Sequence, residues 1–373
     1  GDNQTRLTNI LSKSIQRSDL VITTGGLGPT DDDLTREAIS LASGQELYKN
    51  EKLLTEMKQY FRKKGYNLTE NNYSQAYLPH GAQPIKNDWG TASGIILQQD
   101  SYQIISLPGV PGEMKKMFDH YVLPELKNNS ENIILSKTLH FFGIGESTLE
   151  TKLYDILQKQ DNPTLALLAG KGEVKLRITA KGKNEEKIKD KIEKQKTKIV
   201  DRVGEYLYGI DDSDLAVEVY DLLMDKKLDI SVAESCTGGL IGHRITQVPG
   251  SSKIFLGGTI VYSNKAKINL LNIKEESIRE KGAVSEVVAK QMAENVAEKF
   301  GSEIGIGVTG IAGPGGGSKE KPVGLVYIGF YYRGKTEVYQ LNLNGSRSHN
   351  KWMTSQYALF YVYKNIKSGR VNK

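Results

Sequence analysis

The chain has 373 residues, more than twice the ~150 residues of a typical domain, so two or three domains are expected. A hydrophobic fraction of 38% and a charged fraction of 25% are those of folded globular proteins, which excludes wholesale disorder. The net charge of +6 is modest for this length and is compatible with small anionic substrates. Much of the excess lies in residues 181–198, where interleaved acids predict a solvated amphipathic helix, so nucleic-acid binding is disfavoured.

The residue types exclude several further classes of protein. The single cysteine, Cys236, cannot form an internal disulfide, and the five histidines include no His-Glu-x-x-His zinc motif. The longest apolar stretch, at 323–332, is shorter than the ~20 residues of a membrane-spanning helix. Residues 1–19 lack the apolar centre of a signal peptide. The sequence therefore predicts a cytoplasmic protein that binds no membrane.

The first third of the chain alternates between helical and extended patterns. Helices are predicted over 5–18, 33–42, 51–64 and 112–121, and strands over 20–24, 93–98 and 102–107. This alternation predicts an α/β domain over residues 1–128 with a mostly parallel sheet. Because such a sheet usually begins with a strand, the opening helix suggests that the domain is incomplete at its N-terminus.

The middle of the chain predicts a smaller module. The polar, Asn-rich stretch 127–131 is a plausible boundary. The next segments follow a β-α-β-β-α-β order over 132–209, which is the split β-α-β pattern of a ferredoxin-like or KH-like module. The segment 209–213 is typical of a linker, and Ser213 is a candidate N-cap for the next helix.

The last third, residues 213–366, predicts a second α/β domain. It alternates helices at 214–226, 265–271, 285–300 and 348–365 with strands at 229–233, 254–262, 303–308, 324–332 and 336–342. The predicted fold class is therefore multidomain α/β. Two α/β domains with mostly parallel sheets are joined by a small α+β module.

Residues 233–239 lie where a strand ends and a helix is predicted to begin at about Thr237. Free N–H groups of the helix would converge near the Ser235 hydroxyl, where they could bind a phosphate or an oxyanion. Alternatively, Ser235 and Thr237 only cap the helix. Cys236 could compete as a nucleophile, but we interpret it as a small packing residue.

A lysine could activate Ser235 in the absence of a histidine base. Lys265 and Lys267 follow the strand that breaks at Ser263-Asn264, and at ~100° per residue they point to nearly opposite sides of a helix. Only one of them can face the site, and the alternative is that both lie in solvent.

The loop 308–317 carries so many glycines that close approach of its backbone to a ligand is indicated. Thr309 lies at the carboxyl end of a strand, where α/β sheets bind ligands. Residues 305–310 match G-x-G-x-x-G, but the first two glycines lie inside the strand and no helix follows. We therefore reject a dinucleotide fingerprint.

Six ordered motifs in the last third resemble the C-terminal domain of the CinA family, which is the nicotinamide mononucleotide deamidase; they are 233–239, 248–252, 262–267, 282–285, 308–317 and 321–324. The resemblance implies a cofactor-free amidohydrolase of pyridine nucleotide recycling, with Ser235 as nucleophile and Lys267 as base. It further implies that Tyr262 and Thr309 position the reacting groups. The residues it places near the substrate are Gly238, Gly239, Gly310, Gly313, Gly315 and Arg347. Ser346 stands where the family commonly has Asp.

The first third contains a glycine turn followed by acids, over residues 24–38. Such glycines could admit a phosphate and the acids could hold a divalent cation, although helix capping explains the acids equally well. With 90–94 and 107–113, this segment resembles the molybdopterin-binding-like domain of CinA proteins, whose family activity is metal-dependent hydrolysis of ADP-ribose. The implied phosphate and metal residues are Gly25, Gly26, Gly28, Asp32, Asp33 and Glu37, with Asp33 as the metal ligand.

The family resemblance also implies a homodimer that acts on small nucleotides. Two further hypotheses remain open. The glycine loops could only cradle a nucleotide in a scaffold protein of competence or recombination, or the first domain could bind a pterin.

Overall fold

The computed structural model describes residues 3–128, 132–170 and 172–369. The chain forms two compact units, Gly1–Glu131 and Asn132–Lys373, so the predicted middle module and last third form one unit. Residues 1 and 2 of the first predicted domain, and 129–131 of the predicted boundary, lie outside the described residues. Within the described ranges, no helix combines the length and apolar composition needed to cross a membrane.

The first unit consists of helices and short strands that alternate along the chain. Its α-helices are α1 Gln4–Ile15, α2 Thr35–Ser43, α3 Glu51–Lys64, α4 Pro111–Met117 and α5 Leu123–Asn128, with a π-helical turn Phe118–Val122 and a 3-10 turn Glu70–Ala76. Its strands are β1 Leu20–Thr24, β2 Leu47–Lys49, β3 Tyr77–Pro79, β4 Ala82–Ile85, β5 Gly94–Gln98 and β6 Gln103–Leu107.

The main sheet of this unit has the order β1-β6-β5-β4, and only β1 and β6 pair in parallel. The predicted mostly parallel sheet is therefore wrong here. The reason is a tight turn between β5 and β6, in which the Gln99 amide donates to the Tyr102 carbonyl, and such a turn can join only antiparallel strands. Apolar cores lie on both faces of the sheet, so Ile104 packs on one side and Ile105 on the other.

The second unit begins with the predicted β-α-β-β-α-β module: β7 Ile133–Phe141, α6 Glu146–Gln158, β8 Thr164–Gly170, β9 Glu173–Gly182, α7 Glu185–Val203 and β10 Leu207–Ile210. The sheet order is β10-β7-β9-β8 and every pairing is antiparallel. The strands β7 and β8, joined through α6, are separated by β9, as the split pattern predicts.

The last third forms a five-stranded sheet with flanking helices. Its helices are α8 Leu215–Lys226, α9 Leu240–Thr246, α10 Asn264–Leu271, α11 Glu275–Lys281, α12 Glu286–Phe300 and α13 Arg347–Ser368. Its strands are β11 Ile230–Glu234, β12 Phe255–Ile260, β13 Ile304–Gly310, β14 Leu325–Tyr332 and β15 Lys335–Asn342. Helix α8 is capped by Asp214, whose carboxylate accepts from the Ala216 amide, rather than by the predicted Ser213.

The strand order is β12-β11-β13-β14-β15. Strands β12, β11 and β13 are parallel, whereas β13, β14 and β15 are antiparallel, so the mostly parallel prediction is wrong for this sheet as well. The two-residue turn at Arg333 and Gly334, both with positive φ, explains the antiparallel pairing of β14 with β15, which it joins as a hairpin.

Two adjacent phenylalanines connect the module to the last third. Phe141 lies in the module's own core. Phe142 instead joins the core of the last third, with its ring centroid 4.7 Å from that of Tyr357 and 5.2 Å from that of Phe360. The two cores of this unit therefore share one short stretch of chain.

Candidate active site

Ser235 directly follows β11, the strand between β12 and β13. Its amide donates to the Val308 carbonyl at 3.0 Å, which fixes the backbone of the residue against β13. The side chain is 7% exposed. This position is the carboxyl end of a parallel strand, where α/β sheets place reactive groups.

Lys267 comes from α10, which Ser263 caps by accepting the Ala266 amide at 3.1 Å. Its Nζ lies 3.0 Å from Ser235 Oγ, 2.9 Å from the Val261 carbonyl oxygen and 3.3 Å from the Tyr262 carbonyl oxygen. The residue is 2% exposed. Lys265 is exposed, so the expectation that only one of the two lysines faces the site is met by Lys267.

Burial lowers the pKa of Lys267 from the usual 10.5, because desolvation disfavours the charged ammonium. A neutral amine has two N–H bonds and one lone pair. The two carbonyl oxygens can take the N–H donors, which leaves the lone pair to accept the Ser235 hydroxyl proton. The pair can therefore act as a nucleophile with its general base.

The N-terminus of α9 is arranged differently from the sequence prediction. The helix begins at Leu240, and its side-chain partner is neither Ser235 nor Thr237. The carboxylate of Glu234, 1% exposed, accepts amide N–H groups from the helix start. The donors are Gly239 at 2.9 Å, Ile241 at 3.2 Å and Gly242 at 2.8 Å. These amides are thus held by a carboxylate, and the predicted convergence of free helix amides on Ser235 is wrong.

Cys236 is buried beside Ser235, and desolvation raises the pKa of its thiol to about 12. A thiol with so high a pKa is protonated at neutral pH and is a poor nucleophile. This agrees with the interpretation of Cys236 as a packing residue.

Eight of the ten site residues predicted in the last third line one pocket of about 250 Å³. The lining residues are Ser235, Cys236, Tyr262, Asn264, Lys267, Ala283, Val284, Thr309, Gly310, Ile311, Ala312, Gly313, Gly315, Gly316 and Arg347. The buried Thr309 donates its hydroxyl to the Ala283 carbonyl at 2.8 Å, which fixes the pocket wall at 283–284. Gly238 and Gly239, predicted to bind substrate, are not in this lining; both have positive φ and shape the turn before α9.

Arg347 lies at the start of α13 and bridges two loops at the pocket. Its Nη1 donates to the Gly313 carbonyl at 2.6 Å and its Nη2 to the Tyr262 hydroxyl at 2.7 Å. Tyr262 is 58% exposed, so this guanidinium lies where the pocket opens to solvent. A bidentate cation at that position is suited to an anionic substrate group.

In the first unit, the glycine turn of β1 meets the turn of β6, since the Gly25 amide donates to the Leu107 carbonyl at 2.9 Å. Arg36, on α2, stabilises the turn by donating to the carbonyls of Leu27 at 2.7 Å and Gly28 at 2.8 Å. Hydrogen bonds therefore hold the glycine turn to the end of β6 and to α2.

Asp33, the predicted metal ligand of this unit, accepts hydrogen bonds from Thr30. Burial raises the pKa of Asp33, but hydrogen bonds from the Thr30 amide and hydroxyl outweigh it, so the pKa lies below the usual value. Asp32 is exposed and Glu37 lies on the following helix. No group of three or more His, Cys, Asp or Glu among the described residues could hold a metal ion. We derive no step through a metal.

Sequence reasoning missed Glu234 and Asn350, both buried polar residues next to the pocket. A charged residue as the last member of a mostly apolar strand was the available signal for Glu234. Asn350 lies in the first turn of a long helix, where nothing in the local pattern marks it.

Family models match the chain in three places: "CinA C-terminal domain" at 212–366, "Damage-inducible protein CinA KH domain" at 136–209 and "Probable molybdopterin binding domain" at 1–128. A putative competence-damage inducible protein of Halothermothrix orenii is 52% identical over 98% of this chain and 89% of its own length. A CinA-like protein of Dictyoglomus turgidum is 48% identical over 95% and 86%. A crystal structure of a competence/damage inducible protein from Agrobacterium tumefaciens is 38% identical over 39% of this chain and 89% of that chain, with a TM-score of 0.38. The chain belongs to the CinA family.

Proposed function

We propose that the last third of the chain hydrolyses the carboxamide of nicotinamide mononucleotide to nicotinic acid mononucleotide and ammonia. The observation that carries the proposal is the buried contact of 3.0 Å between Lys267 Nζ and Ser235 Oγ. An amine with a lowered pKa, next to a serine hydroxyl in a pocket, is the minimum equipment of a serine–lysine amidohydrolase.

The reaction starts when Ser235 Oγ attacks the carboxamide carbon while its proton passes to Lys267 Nζ. The tetrahedral intermediate collapses, the C–N bond breaks, and Lys267 returns the proton to the departing nitrogen, which leaves as ammonia. Water then attacks the acyl-enzyme and gives one proton to Lys267, which passes it to Ser235 Oγ as the ester bond breaks. The acid product keeps the second proton of the water and loses it to solvent. One water is consumed and one ammonia is formed.

The oxyanion of this intermediate requires N–H donors close to Ser235. The amides at the start of α9 are engaged by Glu234. We therefore assign the oxyanion to the amides of Cys236 and Thr237, which directly follow the nucleophile in the turn. In this arrangement the Glu234 carboxylate fixes the end of the turn through its hydrogen bonds to the start of α9.

The phosphate end of the substrate is assigned to the region of Arg347. This guanidinium lies at the open side of the pocket and already makes two hydrogen bonds that fix its plane. A substrate whose carboxamide reaches Ser235 would place its charged end toward this cation.

The test is ammonia release from nicotinamide mononucleotide by the purified full chain. We expect Ser235→Ala and Lys267→Met each to lower the rate by at least about a thousandfold, since each removes one half of the nucleophile–base pair. The matched controls are the neighbours Cys236→Ala and Lys265→Met, which should keep most of the activity.

Activity that survives Ser235→Ala, or that is lost in Cys236→Ala, would show that the nucleophile is misassigned. Wild-type protein that binds the nucleotide but releases no ammonia would favour the scaffold hypothesis. For the first unit we propose no reaction, since no cluster of three or more His, Cys, Asp or Glu among the described residues supports one.

A further inference from the structure

Asn350 is a fully buried asparagine, 0% exposed, that joins two loops of the pocket. Its Nδ2 donates to the Ala312 carbonyl at 3.1 Å and to the Gly345 carbonyl at 3.0 Å. Its Oδ1 accepts the Gly345 amide at 3.0 Å. The side chain thus pairs with both backbone groups of Gly345 and reaches across to the loop between β13 and β14.

The chemistry of this site requires a carboxamide. Two carbonyl oxygens face the nitrogen and one N–H faces the oxygen, so the reversed orientation would set oxygen against oxygen twice. An aspartate has the same shape, but its carboxylate would offer no donor to either carbonyl. A buried group left unsatisfied in this way is costly, so the two loops would separate or shift.

Both partners of Asn350 lie close in sequence to the groups that hold Arg347. Ala312 precedes Gly313, whose carbonyl accepts Arg347 Nη1, and Gly345 lies just before Ser346, the N-cap of α13. The backbone of Arg347 therefore follows directly on the loop that contains Gly345, whereas one of its acceptors, the Gly313 carbonyl, lies on the loop that contains Ala312. The carboxamide of Asn350 sets the distance between them.

We propose that Asn350 is a positioning residue that holds Arg347 where the phosphate end of the substrate binds. This inference rests on the proposed function and deepens it. Asn350 acts on substrate binding through Arg347, and it leaves the Ser235–Lys267 chemistry unchanged.

The test compares Asn350→Asp with Thr354→Val in the full chain. Thr354 lies one turn further along α13, is equally buried, and donates its hydroxyl only to the Asn350 backbone carbonyl. We expect Asn350→Asp to raise KM for nicotinamide mononucleotide by about tenfold or more, with kcat changed by less than about threefold. Thr354→Val should change neither by more than about twofold.

A double-mutant cycle distinguishes positioning from general damage. If Asn350 acts through Arg347, Asn350→Asp should raise KM by less than about twofold in an Arg347→Ala background. An equal rise in both backgrounds, or a fall in kcat alone, overturns the inference. Asn350→Ser, which removes the amide without adding a charge, serves the same comparison if the aspartate variant does not fold.

Binding separates this inference from the proposed reaction. In a Ser235→Ala background, calorimetric titration with nicotinamide mononucleotide should show a Kd about tenfold weaker when Asn350→Asp is added. If the Kd shifts in this way but the wild type releases no ammonia, the proposed reaction is wrong and the positioning role of Asn350 stands. If the wild type releases ammonia but the Asn350→Asp variant has an unchanged KM and Kd, the proposed reaction stands and the positioning role is wrong. Absence of both binding and release overturns both.

Discussion

At the scale of single residues, the amine of Lys267 is buried away from water and contacts one hydroxyl and two carbonyl oxygens. Because its pKa in the folded protein is lowered below 10.5, the unfolded chain binds more protons over the interval between the two pKa values. Burial of this lysine therefore destabilises the fold fully below the folded pKa. The cost is relieved as the pH rises toward 10.5.

This linkage predicts how the stability of Lys267→Met differs from that of the wild type. The free energy of unfolding of the wild type, relative to the variant, should rise with pH over the interval below 10.5. Denaturant unfolding at a series of pH values measures it. A difference that falls with pH for Lys267→Met would contradict a lowered pKa.

The residue pattern made Ser235 a candidate nucleophile but could not choose its lysine, and only the family resemblance implied Lys267. Helical geometry predicts that Lys265 and Lys267 face different ways, yet it does not say which side packs on the strand. That choice depends on the contact between α10 and the end of β12, which is tertiary. Glu234 was missed for a similar reason, because its amide partners assemble only when the turn after Ser235 folds.

At the scale of elements, the glycines of β13 and β14 explain how α12 reaches the sheet. A Cβ on Gly305 would lie 2.9 Å from the Ala297 methyl carbon, and one on Gly307 would lie 2.6 Å from the Ala289 carbonyl oxygen. On Gly329 it would lie 2.9 Å from the Ala289 carbonyl carbon. The G-x-G pattern in β13 therefore serves close packing of a helix, in agreement with the rejection of a dinucleotide fingerprint.

Gly307→Ala should be strongly destabilising, since the added methyl group meets backbone atoms of α12 that cannot move independently. We expect a loss of about 1–3 kcal/mol in the free energy of unfolding. Gly145→Ala is the matched control, because a Cβ added there would have no atom within 4 Å and its φ is negative. Chemical denaturation measures both, and equal effects would contradict the packing role.

The order of helices and strands could be predicted in most places, but the directions of the strands could not. Periodicity finds an element such as β6 or β15, whereas its direction depends on the connection that precedes it. The short turns before these strands carried that information and were not used. Strands β2, β3 and β4 were missed because three or four residues are too few to establish a period.

At the scale of the whole second unit, substitutions of the adjacent residues Phe141 and Phe142 should destabilise different parts of the unit. Phe142→Ala removes a ring from the core beside α13, and Phe141→Ala removes one from the module. Each should cost about 3–5 kcal/mol. Hydrogen exchange should show lost protection in α13 for Phe142→Ala, and in α6 and α7 for Phe141→Ala. Loss in the same elements for both variants would contradict the division.

This pair of phenylalanines makes the spacing of β7 critical for the architecture. Neighbouring side chains of an extended segment point to opposite faces, so inserting one residue ahead of Phe141 would exchange the two rings. Each ring would then point away from the core in which it now packs, so the module and the last third would each lose an aromatic side chain from their cores. A single added amino acid in β7 is thus expected to destabilise the module and the last third together.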